Sequence, residues 1–284
     1  MKRRLVSYLF CLIVTSKIVA ITSLGETDMD VFYGNDSIFQ LLYSIPIEGA
    51  SMAIDNLQNL YVGTQQGQVL QFDKFGHKKF EYNNNRLGTI GKIDVRNPLT
   101  ILVYYPDFAV ITLLDRTLSE IKQINLWDLD ILEPKGIALA NDNNIWIFDV
   151  VTAILKKTNQ EGQTLFQSRN LNQLTQESLN PSFLQELDNL IYLSDEEKGI
   201  FIFDNFGQLV TSIPHKGIQQ FQVFNEQLVF LENQTLFVLN LNDGNSKNIL
   251  LPEREDDFFL LKIEQNRMYI MEQKMIRVYQ IINS

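Results

Sequence analysis

The chain has 284 residues, 45% of them hydrophobic and 11% aromatic, enough to bury a large core. Its formal net charge is -10, and no cluster of Lys or Arg follows the N-terminus, which argues against nucleic-acid binding because phosphate neutralisation needs a basic face. Beyond residue 20 there is no cysteine, which removes disulfides and thiolate metal sites.

The first twenty residues differ in kind from the rest. Lys2-Arg3-Arg4 is a positive start, residues 5–15 are apolar, and Ile18-Val19-Ala20 offers a cleavage site. The apolar run is too short to span a bilayer comfortably. A signal peptide over 1–20 is therefore predicted, with export to a periplasm or cell envelope. Retention as an anchor is the alternative and would leave the protein peripheral to a membrane. Cys11 lies inside the apolar run and reads as filler. Residues 21–36 mix Gly, Thr, Asp and Glu without periodicity and read as a linker.

Residues 37–47 (SIFQLLYSIPI) read as a strand that stands alone. Residues 50–82 then hold four short apolar runs separated by tight turns: SMAI, LYV, VLQF and KFEY. Four strands with three turns make one antiparallel sheet, which cannot bury its own faces and needs copies of itself. The copies follow. A second unit spans residues 89–126, a third starts at Pro134 (PKGIALANDNNIWIFDV), a fourth covers 182–213 and a fifth 218–251. The sixth has only three runs, 258–263, 267–271 and 275–281. Its missing strand is the orphan at 37–47, which would tie the two ends together and remove the open edges. Second strands start at Leu60, Ile101, Ile145, Ile191, Leu228 and Met268, a spacing of roughly 40 residues, the length of a propeller blade. Residues 170–179 are the one piece ambiguous between helix and loop. The predicted fold is an all-β six-bladed propeller over residues 37–284, with the N-terminal strand completing the last blade.

The pattern Ala53-Ile54-Asp55 followed by Asn59-Leu60-Tyr61-Val62, and again Gly136-Ile137-Ala138 followed by Asn144-Ile145-Trp146-Ile147, resembles the NHL-repeat and gluconolactonase-like six-bladed propellers. The resemblance covers nearly all of the chain after the leader at the level of architecture. It is clearest in units one, three and four. The His and Leu of the strict NHL signature are absent, so "NHL-like" is the description the residues support.

The turns divide between two faces, because each strand reverses direction. The turns between first and second and between third and fourth strands are short and built from Asp, Asn and Gly, residues that form turns for local reasons. The remaining connections are irregular and acidic. They contain Tyr104, Tyr105, Asp107, Phe108, Trp127, Asp128, Asp195, Glu196 and Glu197, with a further run at 253–257. Pro106 stiffens the first of these loops. A single-signed face with aromatics is a binding surface for a protein partner, so these residues are the candidate contacts. Trp146, Tyr192, Tyr61 and Tyr269 recur at one position of the second strand and are expected to pack between blades.

Catalytic motifs are missing: no Gly-x-Ser-x-Gly, His-Glu-x-x-His or Gly-rich phosphate loop occurs. Of the two histidines, His77 falls in a turn on the opposite face, while His215 can reach the irregular rim. The gluconolactonase-like resemblance implies an alternative, a lactonase-type hydrolase holding a divalent cation, Ca²⁺ by its oxygen ligands, in the central channel. Asp149 and Asp195, just after second strands, are the residues that would serve it. Against it, the innermost strands read as mostly aliphatic. A carbohydrate binder is a third reading, from the aromatics alone. The leading expectation is a non-enzymatic module without a cofactor, docking a protein partner in the cell envelope as a monomer within a larger assembly.

Overall fold

The computed structural model describes residues 38–224, 226–252 and 257–282. The expected leader (1–20), the linker (21–36), Ser37 and the acidic residues 253–256 lie outside the described residues. After β1 (Ile38–Pro46), the strands fall into sheets of four in chain order. Blade 1 is β2 (Ser51–Ile54), β3 (Leu60–Gly63), β4 (Gln68–Phe72) and β5 (Lys78–Asn83). Blade 2 is β6 (Lys92–Asp94), β7 (Ile101–Tyr105), β8 (Val110–Leu114) and β9 (Glu120–Asn125). Blade 3 is β10 (Pro134–Leu139), β11 (Ile145–Asp149), β12 (Ile154–Thr158) and β13 (Thr164–Gln167). Blade 4 is β14 (Phe183–Leu187), β15 (Leu190–Asp195), β16 (Gly199–Asp204) and β17 (Leu209–Ile213). Blade 5 is β18 (Phe221–Phe224), β19 (Gln227–Glu232), β20 (Thr235–Asn240) and β21 (Ser246–Ile249). Blade 6 is β22 (Phe258–Glu264), β23 (Arg267–Glu272) and β24 (Met275–Ile282), completed by β1 on its outer edge. The fold is a six-bladed β-propeller closed by its N-terminal strand. The ambiguous piece at 170–179 contains a single helical turn, α1 (Leu171–Thr175), capped by the Asn170 side chain accepting from Gln173 N–H.

The ring is held at its seams. One apolar cluster lies between each blade and the next, and the last joins Leu260, Tyr269 and Met271 of blade 6 to Met52, Leu60 and Val62 of blade 1. Each second strand serves two seams, because alternate side chains point to opposite faces of the sheet. In β7, Ile101, Val103 and Tyr105 pack toward blade 1, while Leu102 and Tyr104 pack toward blade 3. That double burial is why these strands read as unbroken apolar runs rather than as alternation. Tyr61, Trp146, Tyr192 and Tyr269 are all buried in the seams, as their recurrence implies. The outer strands are the exposed ones, and β5, β9 and β17 bury almost nothing.

β1 runs antiparallel to β24, from Ile38 opposite Ile282 to Pro46 opposite Met275, with a bulge at Leu42. Equivalent register shifts occur where β5, β9, β13 and β17 join their neighbours, and leave Ile121, Leu165 and Val210 pointing outward. Bulged outer strands are poor templates for edge-to-edge pairing.

The turns on the lower face are built on one device. Asp73, Asp115 and Asp204 each accept, through Oδ1, the N–H groups two and four residues on, at 2.8–2.9 Å. The turn then needs a left-handed residue, supplied by Gly76 (φ 84°) and Gly207 (φ 67°). In blade 2 Leu118 takes the place at φ 61°, its side chain buried in the seam with blade 1.

Candidate functional site

The upper face carries the irregular loops. A short 3₁₀ turn, Pro106–Phe108, projects from blade 2, and a second, Trp127–Leu129, lies in the connection to blade 3. Hydrogen bonds stitch these loops together: Leu126 N–H donates to Ala109 O, Ile131 N–H to Leu126 O, and Val150 N–H to Glu133 O. Lys156 Nζ adds bonds to the carbonyls of Leu129 and Asp130 at 3.2 and 3.0 Å. On this braced ground Phe108 is 45% exposed, Trp127 51%, Leu132 59% and Val151 58%. Asp107, Asp128, Asp130 and Glu133 are exposed beside them. The result is one sector, over blades 2 and 3, where apolar side chains stand among carboxylates.

The residues expected from sequence to form this surface divide into two groups. Asp107, Phe108, Trp127, Asp128, Glu196 and Glu197 are exposed. Tyr104, Tyr105 and Asp195 are buried. Tyr105 sits in the blade 1 seam with its hydroxyl donating to Gly67 O at 3.2 Å. Tyr104 lies in the blade 3 seam, donates to Pro134 O and reaches the channel wall, and burial together with Asp107 pushes its hydroxyl up to about 12. Asp195 closes its own turn, accepting from Glu197 N–H (3.0 Å) and Asn180 N–H (2.8 Å) and pairing with Lys198 (3.2 Å). Asp149 does the same in blade 3, accepting from Glu133 N–H at 2.9 Å and the Thr152 hydroxyl at 2.7 Å. Asp149 and Asp195 thus sit in separate blades, both engaged by their own loops. Among the described residues no group of three or more His, Cys, Asp or Glu comes together. His215 rests its ring on Phe230 and faces Glu232 at 3.2 Å; His77 lies exposed on the lower face beside Asp73.

The central channel is where the sequence reading fell short. A cavity of about 490 Å³, walled by the inner strands of all six blades, opens beneath Trp127 and Leu132. Its wall is not mostly aliphatic. Lys92, Asp94 and Arg96 of blade 2, Gln222 of blade 5, and Lys262 and Glu264 of blade 6 face it. The signal was present in KIDVR at residues 92–96, where period-two alternation puts Lys92, Asp94 and Arg96 on one face of an innermost strand.

Arg96 lies at the floor. Its guanidinium pairs with both oxygens of Asp94, at 3.2 and 3.0 Å, and donates to Leu139 O of the adjacent blade 3 and Glu186 O of blade 4. Asp94 also accepts from Leu139 N–H at 3.0 Å. Burial works against its charge, but Arg96, Lys92 and these hydrogen bonds outweigh it and hold the carboxyl below its usual range. Above the floor, Lys92 Nζ crosses to Leu184 O (2.7 Å) and lies 4.5 Å from the centre of the Phe183 ring. Lys262 Nζ approaches the same ring from blade 6, at 5.4 Å.

Burial pushes the Lys92 amine down to about 7 and the Lys262 amine down to about 8, with Asp94 opposing in both cases. Burial, reinforced by Asp55, pushes the Glu264 carboxyl up to about 7. Unfolded lysine keeps its proton to about 10.5, so between pH 7 and 10.5 the unfolded chain binds more protons and stability rises with pH. For Glu264 the folded state holds the extra proton between 4.5 and 7, and stability falls as pH rises through that window. The channel groups therefore contribute a trough near neutrality. Urea midpoints measured from pH 5 to 10 should show Lys92→Met flattening the alkaline limb and Glu264→Gln the acidic one; unchanged profiles would contradict both assignments.

No family model matches the chain, and no curated protein matches it. Solved structures do. The chain is similar to the WD40 domain of Pan2 from Neurospora crassa, at 9% identity and a TM-score of 0.62 over 88% of this chain and 97% of that one. It is also similar to a catalytically inactive virginiamycin B lyase from Staphylococcus aureus, solved with quinupristin, at 10% identity and 0.62 over 87% and 99%. A streptogramin B lyase matches at 15% identity and 0.59, over 88% of each chain. At these identities the likeness is one of fold, and that fold serves scaffolds and enzymes alike.

Proposed function

We propose that the protein is an exported, NHL-like propeller that docks a protein partner of the cell envelope through the sector of its upper face over blades 2 and 3. The observation that carries this reading is the braced group of Phe108, Trp127, Leu132 and Val151 exposed among Asp107, Asp128, Asp130 and Glu133. Loops held by backbone hydrogen bonds present an aromatic anchor without an ordering cost on binding, which is how interfaces concentrate their energy. The carboxylates select a partner segment that carries basic residues beside apolar ones. The reading calls on no cofactor, and the similarity to a WD40 domain is in keeping with it.

The test is affinity capture from the native envelope with three baits. Trp127→Ala combined with Asp128→Lys should deplete the partner at least about 30-fold, since a buried aromatic anchor contributes ~2 kcal/mol or more. Glu161→Lys, on the lower face, should capture as the native protein does. Equal recovery by all three baits would refute the upper-face assignment.

A further inference from the structure

The structure assigns to the central channel a second role, independent of the docking face: we infer that it is a binding site for a small organic anion, a carboxylate or phosphate on an apolar body, seated between Lys92 and Lys262 and entering from the upper mouth. Positive charge exceeds negative there. Lys92, Lys262 and Arg96 outnumber the carboxylates Asp94 and Glu264, and Arg96 already holds Asp94 in a two-pronged pair. Lys262 Nζ makes no hydrogen bond or ion pair among the described residues; its contact is the Phe183 ring. The other charged groups of the channel do not neutralise this surplus. Lys135 pairs with Glu133 at the mouth (3.3 Å), and Glu264, at the lower end, feels Asp55 most among its charged neighbours.

Two partly shielded lysines, Lys92 and Lys262, that share Asp94 with Arg96 are not explained by stability, because apolar replacement of a desolvated charge is commonly neutral or stabilising. They do provide a binding device. An anion between the amines gains from both, relieves their mutual repulsion and favours their protonated forms. The cavity, about 490 Å³, falls in the range of about 300–1,000 Å³ that ligand sites occupy. Phe183, whose ring already meets both amines, lines the cavity together with Ile54 and Pro134 and would cover the body of such a ligand. Ser51 also lines it, with a buried hydroxyl that has no partner within the protein. Arg96 reaches from blade 2 to blades 3 and 4 at the lower end, and the mouth beneath Trp127 is the way in that this site would use.

Titration calorimetry on the whole protein with benzoate, phenyl phosphate and the neutral benzamide, at constant ionic strength, tests this. At least one of the two anions should bind, and which of them does decides between carboxylate and phosphate. Binding should tighten several-fold from pH 8.5 to 6.5 and take up protons, seen as heat that varies with the buffer. Lys262→Met should weaken it about 10- to 100-fold, as expected for loss of one charge-assisted contact. Lys92→Met should do likewise if one variant fails to fold, and Lys122→Met, on the outer strand β9, should change nothing. Failure of both anions to bind across this pH range, equal binding of benzamide, or native affinity in Lys262→Met would overturn the assignment.

Discussion

Removal of residues 1–46 is expected to abolish cooperative folding of the ring, or to lower its melting temperature by roughly 10–20 °C. β1 is the outer strand of blade 6, and its pairing with β24 is the bond between the two ends of the chain. Ile45 is buried in the seam cluster between blades 6 and 1, and Tyr43 packs against the same cluster, while Phe39 packs toward blade 5. Loss of these contacts amounts to roughly 5 kcal/mol at ordinary values for apolar burial. The total stability of a protein is only about 5–15 kcal/mol, so little margin remains. The truncation also exposes β24 as a long apolar edge, so aggregation on size exclusion should accompany the thermal result. A synthetic peptide covering 37–47, added in trans, should restore part of the transition. A truncated protein that melts within 2 °C of the full chain would show that the closure is dispensable.

Arg96→Met should have the largest effect of any single substitution in the channel. It leaves Asp94, 7% exposed at its side chain, without its bidentate partner, and takes the donor from two carbonyls of blades 3 and 4. Breaking a buried pair on one side costs about 3–5 kcal/mol. Arg96 is itself partly exposed, so the lower end is expected: a fall in melting temperature of roughly 6–12 °C. Arg96→Lys keeps the charge but not the fork and should fall between. In a double-mutant cycle, Asp94→Asn combined with Arg96→Met should recover much of the loss, since the uncompensated carboxylate is then gone. Additive losses would mean that Asp94 and Arg96 do not act as a pair.

The architecture was legible because the blade pattern is local. Turn residues punctuate short apolar runs, and strands such as β11 and β15, apolar on both faces, announce burial between two neighbours. The orphan strand at 37–47 had a place once the sixth unit came up one strand short. The channel was harder for a physical reason. Lys92 meets Leu184 from ninety-two residues away, and only closure of the ring brings β6, β14 and β22 to face one another. Adjacent residues also part company. Tyr104 and Tyr105 look alike in sequence, yet consecutive positions on a strand point into opposite seams. Among the three acids at 195–197, the first closes the turn and the next two are exposed, a division set by backbone geometry rather than residue type.

The pairing of β1 with β24 also orients the molecule. Ile38 lies opposite Ile282 at the lower end of blade 6, on the side where Arg96 lies, whereas Pro46 lies opposite Met275 at the upper end. A short tether fixed at Ile38 itself would therefore meet the ring from below. A membrane, an affinity tag or a sensor surface reached by that route stands beneath the ring. The Trp127 sector and the channel mouth then point outward, away from the point of attachment. Immobilisation close to Ile38 is accordingly the geometry in which both the docking face and the channel stay accessible, and attachment through a side chain of residues 126–133 is the one that should silence both.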